Sequence, residues 1–414
     1  KCIRDRGGAS RQHESGQSHG LADKNDRIVA RVWQEVLGLP DAAITSPRDD
    51  FFDMGGDSLL LARCVAQLRR EMPDGDNTPW DAALRAIVAD PTIAGCAAAF
   101  AGPSPRHPGA AGTPVVPLSD AERWPGDDLV VLVHDGSGGL EPYDDLVRAL
   151  ADRPHPELIG LRRVPGDGFS QASADRRLET LAARYQTALT PGDRPVHLVG
   201  YCLGGLVAAS LAARLSAAGR TVASTTVVSS YRLPFVVRDD LLIDYAFAKV
   251  MGRDPAQAGI VVDDGQLGHA LRTARQDHVT EITEQVLAEY GEPPLRLALG
   301  AAPRTSSERL TAMSEQWPGM TLDGVRSVRD SVAASFEAVA AWQPLPYLGD
   351  IDFLRQNGPL YFLPGLADDM TDFWSDHCLG TLRVRDIAGT HFDCLRSGQT
   401  AGAAEILDGI WRRR

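Results

Sequence analysis

The stretch VGYCLGG, residues 199–205, contains the residue types most suited to chemistry in this sequence. Cys202 lies among Gly200, Gly204 and Gly205, after the apolar run PVHLVG and before the helical pattern LVAASLAARL. Glycines in this arrangement allow a sharp turn from a strand into a helix, which exposes the central side chain at a sheet edge. Such a thiol is a candidate nucleophile for acyl transfer, and the plainer alternative is a small-residue turn around a buried structural cysteine.

A second candidate site is FFDMGGDSLLLARCVAQL, residues 51–68. Its two glycines predict a tight loop, after which Asp57 and Ser58 begin a helix that runs inward along its apolar side chains. A hydroxyl on Ser58 would lie at the positive end of that helix, which is a suitable place to hold a phosphate. The alternative is that Asp57 or Ser58 only caps the helix.

Composition limits the classes of function. The chain has 414 residues, 43% of them hydrophobic and 23% charged, which is typical of two or three globular domains. Its net charge of -13 argues against nucleic-acid and anionic-membrane partners. There is no apolar run of membrane-spanning length, no signal-peptide core and no C-x-x-C pair among the scattered cysteines. We therefore expect a cytoplasmic protein without a metal site or a disulfide framework.

The elements that must position these residues fall into two domains. Residues 1–20 are predicted to be a linker or expression remnant, and residues 21–101 have the periodicity of a small helical bundle. A Pro/Gly-rich linker, residues 102–123, precedes alternating strand and helix patterns over residues 124–414, which predict a mostly parallel sheet. A largely helical insert over about residues 232–346 is expected to form a lid over the carboxyl edge of this sheet.

The first domain resembles the peptidyl and acyl carrier proteins. VWQEVLGL, FFDMGGDSLLLARCVAQL and DPTIAG carry the resemblance, which covers residues 21–101. It implies an all-α carrier bundle with 4'-phosphopantetheine covalently attached to Ser58, next to Asp57. A separate phosphopantetheinyl transferase would attach this group.

The second domain resembles the thioesterase domains that terminate nonribosomal peptide synthetases, a branch of the α/β-hydrolases with a helical lid. HDGSGG, LIGLRRVPGDG, GYCLGG and IAGTHFDCL carry this resemblance over about residues 124–400. It implies a terminal module that receives a peptidyl thioester from upstream synthetase modules. The usual nucleophile of the family is serine, so Cys202 implies membership of its cysteine minority.

His391 is the predicted general base. It follows the predicted last strand TLRVRDI, and the chain order nucleophile, acid, histidine is that of the α/β-hydrolases. His377 is the alternative base, and His134 is expected to shape the loop that contributes to the oxyanion hole.

The acid that should orient the histidine is less evident. Many of these thioesterases have an aspartate where this chain has Ser229, at the end of the strand after the elbow helix. The next predicted strand, GPLYFLP from residue 358, is followed by Asp368 and Asp369. We predict Asp368 as the acid, against the alternative that both aspartates are solvated loop residues. A Cys202/His391 dyad stays open, because an unperturbed thiol is partly ionised at neutral pH.

Backbone N–H groups are expected to stabilise the oxyanion formed during acyl transfer. One should come from Leu203 and the other from Asp135 or Gly136 in HDGSGG, although that stretch would also suit an ordinary glycine turn. Arg232, just after the strand that ends near Ser229, is expected to pair with an anionic group of the substrate or else to be a surface residue.

The sequence thus predicts a release module in which an acyl chain passes from the arm on Ser58 to Cys202. A cysteine nucleophile keeps the acyl group activated as a thioester, which favours release by cyclisation to a lactam or lactone, including a strained small ring. The alternatives are hydrolytic release or editing to a free acid, and a non-catalytic carrier and docking pair.

Overall fold

A computed structural model gives the fold of the chain. It describes residues 23–40, 43–44, 46–51, 54–55, 58–72, 83, 87, 91–100, 113–121, 124–151, 153–164, 166–190, 192–315, 322–344, 346–358, 363–366, 369–396 and 398–413. The chain divides into two compact units, Lys1–Gly102 and Pro103–Arg414.

The N-terminal unit is helical. Its helices are α1 (Lys24–Leu37), α2 (Ser58–Glu71) and α3 (Ile93–Ala99). The Asp23 side chain caps the start of α1, and Gly38, at a φ of 67°, ends it in the left-handed conformation that glycine adopts without strain. Trp33 and Phe51 meet edge to face in the core, with ring centroids 5.1 Å apart. The helical periodicity predicted for residues 21–101 agrees with the burial of Val29 and Val32 in α1 and of Cys64, Val65 and Leu68 in α2.

The C-terminal unit is built on a mostly parallel sheet. Its strands are β1 (Val115–Ser119), β2 (Leu129–Val133), β3 (Glu157–Leu161), β4 (Val196–Tyr201), β5 (Val222–Val228), β8 (Ile351–Gln356) and β9 (Leu382–Ile387). Among the described residues the strand order is β1-β3-β2-β4-β5-β8-β9. Only the edge pair β1/β3 is antiparallel within this sheet. The predicted α/β architecture is confirmed.

Helices cover both faces of the sheet. They are α4 (Asp144–Leu150), α5 (Arg177–Leu189), α6 (Leu203–Ala217) and α14 (Thr400–Trp411), with α13 (Asp369–His377) between the last two strands. Leucines of α4 and α14 share one apolar cluster with Tyr201, Val228 and Leu354 of the sheet. Gly200, whose side of β4 is opposite to that of Tyr201, packs against α6.

The segment between β5 and β8 is mainly helical. It contains β6 (Val236–Val237), α7 (Asp240–Val250), α8 (Asp264–Gln276), β7 (Glu281–Ile282), α9 (Glu284–Tyr290), α10 (Pro293–Ala301), α11 (Ser306–Glu315) and α12 (Leu322–Ala341). Strands β6 and β7 pair in parallel. A buried cluster holds three of these helices together, because the Asp244 carboxylate of α7 binds Arg309 of α11 at 2.7 Å and Arg329 of α12 at 2.9 Å. We call this segment the helical insert.

Two boundaries differ from the sequence-based prediction. Strand β1 lies within the stretch predicted to be linker, and its edge position lets it tolerate Pro117. The strand beside β9 is Ile351–Gln356, not the predicted GPLYFLP that begins at residue 358. No helix in the described ranges is both long and apolar enough to cross a membrane.

Candidate active site

Cys202 lies at the turn between β4 and α6, as the sequence predicted. Its φ of 56° and ψ of -130° fall in a region that L-residues rarely occupy. Such a conformation costs on the order of 1–3 kcal/mol and persists only where the surroundings impose it. The Cys202 N–H donates to the carbonyl of Val228 at 3.0 Å, which fixes the turn to the end of β5.

The glycines around Cys202 are required by close packing. A Cβ on Gly200 would collide with the backbone of Gly204, and one on Gly204 would collide with the carbonyl of His134. A Cβ on Gly205 would meet the side chain of Ser230. Only glycine therefore lets the start of α6 approach both the sheet and the loop after β2.

The thiol of Cys202 faces two backbone N–H groups. Burial raises the pKa of Cys202 to about 12, with the charge of Asp135 adding to the effect, while hydrogen bonds from the backbone of Leu203 and Gly136 oppose it. These donors come from the start of α6 and from the loop after β2. Of the two loop residues considered for the oxyanion hole, it is Gly136 whose N–H faces the sulfur.

His391 lies in the loop after β9, and its side chain is buried. The Tyr201 ring stacks on the imidazole with centroids 5.4 Å apart, and the Tyr201 hydroxyl donates to the His391 carbonyl. Because Tyr201 directly precedes Cys202, the same strand end positions both the nucleophile candidate and the histidine.

Ser229 contacts the imidazole of His391. The distance between Ser229 Oγ and His391 Nδ1 is 2.7 Å. Burial lowers the pKa of His391 to about 4, and a backbone hydrogen bond to Ser229 opposes this shift. The histidine is therefore neutral near pH 7, as a general base must be.

Asp368, the predicted acid, lies outside the described residues, and the side chain of Asp369 does too. One reason for choosing Asp368 was its place directly after a strand. In the structure the strand ends at Gln356, twelve positions earlier. The assignment of Asp368 stays a prediction.

The remaining predicted residues have clear surroundings. His377 packs among the rings of Trp342, Phe373 and Trp374, and burial lowers its pKa to about 4. His134 lies beneath the loop after β2, where its Nδ1 is 2.6 Å from the carbonyl of Asp135.

Arg232 lies next to the end of α12. Its Nε donates to the Trp342 carbonyl at 2.8 Å and its Nη2 to the Ala340 carbonyl at 3.0 Å. These contacts hold the end of the helix beside the residues that follow β5.

Helix α12 also reaches the loop that faces Cys202. The Ser335 hydroxyl lies 3.3 Å from the carbonyl of Gly136, the residue whose N–H faces the sulfur. The helical insert is thus in direct contact with the loop that the sequence predicted to stabilise an oxyanion.

Ser229 and Tyr201 are the residues that sequence reasoning missed as partners of His391. For Ser229 a signal existed, because it occupies the strand end where the family has its aspartate. For Tyr201 there was none, since its contact spans 190 positions of the chain.

In the N-terminal unit, Ser58 is the first residue of α2. Asp57 lies outside the described residues. From Ser58 onward, the first turn of α2 contains no acidic residue. Within the described ranges no group of histidine, cysteine and acidic side chains could hold a metal ion.

Two family models match the chain. Residues 27–99 match the phosphopantetheine attachment site, and residues 129–243 match the thioesterase domain. The chain therefore has a region that matches carrier domains with a phosphopantetheine attachment site, followed by a region that matches thioesterase domains.

Relatives extend this similarity to both domains. The chain is 32% identical to the pyochelin synthetase PchF of Pseudomonas aeruginosa over 416 residues, covering 94% of this chain and 22% of the relative. It is 28% identical to the enterobactin synthase component F of Escherichia coli over 210 residues, covering 50% of this chain and 15% of that relative. The chain thus spans about a fifth of the length of PchF.

Among solved structures, the Vlm2 thioesterase domain is 19% identical to the chain with a TM-score of 0.41, covering 72% of this chain and 97% of that domain.

Proposed function

We propose that this protein, in which a region similar to carrier domains precedes one similar to thioesterase domains, releases an acyl group from the carrier by transferring it to Cys202. The observation that supports this most is the set of groups around the sulfur. A thiol on a strained turn faces the N–H groups of Leu203 and Gly136. These donors suit the negative oxygen that develops when a thiol attacks a carbonyl carbon.

Ser58 would carry the 4'-phosphopantetheine group. The position fits, because a phosphate on the first residue of the 14-residue helix α2 would lie at its positive end, with no acidic side chain in the first turn. When attached, the group supplies a long arm whose terminal thiol holds the acyl chain as a thioester. A phosphopantetheinyl transferase and upstream synthetase modules would be the partners of the carrier, and we place the chemistry in the cytoplasm.

In the acyl transfer, Cys202 Sγ attacks the carbonyl carbon of the thioester while His391 Nε2 takes the thiol proton. The N–H groups of Leu203 and Gly136 stabilise the oxyanion. The bond between the carbonyl carbon and the arm's sulfur then breaks, and His391 returns the proton to the leaving thiolate. Because its pKa is lowered to about 4, His391 starts this sequence as a neutral base.

We propose that the acyl group then leaves by intramolecular attack. A hydroxyl or amine of the bound chain would give up its proton to His391, attack the thioester carbon and displace Cys202 as a thiol, which yields a lactone or lactam. Cys202 packs against the apolar cluster under the turn, and the insert contacts the adjacent loop through Ser335. Both features limit the access of competing water, so that even a strained small ring can close. Two competing hypotheses, Asp368 as the group that orients His391 and Arg232 as the ligand of an anionic substrate group, are distinguished by substitution of each residue.

The test uses the full chain with phosphopantetheine on Ser58, loaded with an acyl thioester that contains an internal amine. We expect mass spectrometry to show an acyl group on Cys202 and then a cyclic product. Cys202→Ala and Ser58→Ala should each abolish product. Cys378→Ala is the matched control, since Cys378 is also a free thiol of the C-terminal unit, but its sulfur contacts the Gly349 carbonyl.

Two results would contradict parts of this proposal. If linear acid were the only product, the release step would be hydrolysis or editing and not cyclisation. If the acylated carrier labelled Cys202 in neither the wild type nor His391→Ala, the protein would be a non-catalytic carrier and docking pair.

A further inference from the structure

We propose that Ser229 is the positioning residue for His391, and that its neutral hydroxyl does in this site what a carboxylate does in most thioesterases of this type. The inference rests on the proposed function of Cys202 and His391. It concerns how the imidazole is held and which charge state the site favours.

The backbone of Ser229 is fixed at the edge of the sheet next to the elbow. Its N–H donates to the Leu354 carbonyl at 2.9 Å, which continues the pairing of β5 with β8. The preceding residue, Val228, accepts the N–H of Cys202 at 3.0 Å. The end of β5 therefore fixes both Ser229 and the turn that contains Cys202.

The conformation of Ser229 directs its hydroxyl to the imidazole. Its φ is 44°, a left-handed value that is unusual for a residue other than glycine. Val228 faces the apolar cluster on one side of the sheet, whereas the Ser230 side chain meets Gly205 on the opposite side. Regular strand alternation would place residues 228 and 230 on the same side. The left-handed residue between them breaks the alternation and brings Oγ within 2.7 Å of His391 Nδ1.

The imidazole is held from two directions. The Tyr201 ring stacks on its face, and Ser229 binds its edge at Nδ1. A hydroxyl can accept the Nδ1 hydrogen of a neutral imidazole, so Ser229 suits the tautomer in which Nε2 is the basic nitrogen, the one that the proposed reaction requires.

A neutral hydroxyl orients the ring without stabilising its charged form as a carboxylate would. The resting site then consists of a neutral thiol and a neutral imidazole, in agreement with the pKa of about 12 for Cys202 and about 4 for His391. The proton moves to His391 during the attack on the thioester rather than before it.

The central test compares Ser229→Asn with Ser229→Asp in the full chain with phosphopantetheine attached. Asparagine and aspartate both tolerate left-handed backbone and are nearly the same size, so the pair differs mainly in charge. The readout is the rate of Cys202 acylation by an acyl thioester in single turnover between pH 4.5 and 8. In Ser229→Asn the acylation rate should fall at the same low pH as in the wild type. In Ser229→Asp this fall should move to higher pH by about one to three units.

A second pair tests positioning. Ser229→Ala should slow acylation by about three- to tenfold, the effect of one lost hydrogen bond, without a change in melting temperature that explains it. Ser230→Ala is the matched control, because within the described ranges its buried hydroxyl has no hydrogen-bond partner. It should acylate at the rate of the wild type.

The proposal would be overturned if Ser229→Asp left the pH profile unchanged, or if Ser229→Ala had no effect while Asp368→Asn abolished acylation. An NMR titration of the His391 ring in the same variants gives a readout that needs no turnover. Suppose that Cys202 is acylated in neither the wild type nor any variant while Ser229→Asp still raises the pKa of His391. The proposed function would then be wrong, and the role of Ser229 in positioning His391 would be supported.

Discussion

At the scale of single residues, the thiol of Cys202 is not activated by its surroundings. An unperturbed cysteine would be a few per cent thiolate at neutral pH, which made a nearly self-sufficient nucleophile plausible from the sequence. In the structure, desolvation and the charge of Asp135 outweigh the two N–H donors and raise the pKa to about 12. The same donors that suit an oxyanion cannot keep the resting sulfur ionised, so His391 has to take the proton.

The effects of substituting Cys202 and Ser229 on the rate of product release should therefore depend on each other. Serine gives up its proton far less readily than cysteine, so it needs the imidazolium to be stabilised by a carboxylate. We expect Cys202→Ser to release product at least about a hundredfold more slowly. Adding Ser229→Asp should recover part of this loss in the serine background and little in the cysteine background.

Product release by the four proteins of this double-mutant cycle is the measurement. Non-additivity in favour of the double variant is the expected outcome. Simple additivity would show that the two positions act independently, and a Cys202→Ser variant as fast as the wild type would remove the reason for sulfur altogether.

The residues of the site were unequally predictable. Cys202, Leu203 and His391 could be placed because each has a local pattern, a glycine turn or a loop after the last strand. The position of Ser229 at a strand end marked it for attention, but its residue type did not indicate that it would contact the histidine. Its role depends on a left-handed backbone and on a histidine 162 positions away, and neither is visible in a sequence window.

At the scale of elements, the alternation of strands and helices was sufficient to predict the sheet, but two of its strands, β1 and β8, were missed. Strand β8, IDFLRQ, contains Asp352, which is buried and lies 3.2 Å from Arg385 and 2.8 Å from Arg413. A carboxylate in a core strand is stable only with such partners, and both come from later parts of the chain. The apolar run GPLYFLP was the better strand by pattern, and the prediction of Asp368 as the acid depended on it.

Helix α12 is the element through which the insert can affect catalysis. It touches Gly136 through Ser335, and Arg232 donates to two carbonyls at its C-terminal end. A cation at that end is favourable for the helix dipole, and the two carbonyls would otherwise lack these donors. Arg232 thus has a structural role that the sequence did not suggest.

We expect Arg232→Ala to lower the free energy of unfolding of the C-terminal unit by about 1–3 kcal/mol, since charge-assisted hydrogen bonds at a partly buried helix end are lost. Acylation of Cys202 should slow to a similar extent with anionic and with neutral acyl chains. Arg232→Lys keeps the charge but not the two-donor geometry, so it should be intermediate in stability. A variant of unchanged stability that loses activity only toward anionic acyl chains would instead support a role in substrate binding.

At the scale of the whole C-terminal unit, buried neutral histidines link folding to pH. Burial is the main cause that lowers the pKa of four of them to about 4, namely His134, His197, His377 and His391. Between pH 6.5 and 4 these groups bind protons in the unfolded chain but not in the folded one. Stability must therefore fall as the pH drops through this window and rise as it returns to neutrality.

His197 offers a test that does not involve the site. Its Nδ1 lies 2.8 Å from the Ser224 hydroxyl and its ring packs near Trp411, on the sheet but away from Cys202. We expect His197→Gln to reduce the loss of stability between pH 6.5 and 4.5 by up to about 1.4 kcal/mol per pH unit, the contribution of one proton. Urea unfolding of the full chain, followed by hydrogen exchange of peptides from residues 103–414, would measure it.

The exposed His269 is the control, because its replacement by glutamine should leave the slope of stability against pH unchanged. If the free energy of unfolding of the wild-type unit were the same at pH 7 and pH 4.5, these histidines would bind protons as readily in the folded chain as in the unfolded chain. In that case burial would not keep His391 neutral below pH 6.5, and the acylation rate should fall near that pH. The loss of stability and the loss of acylation rate at low pH thus test one property, the lowered pKa of the buried histidines.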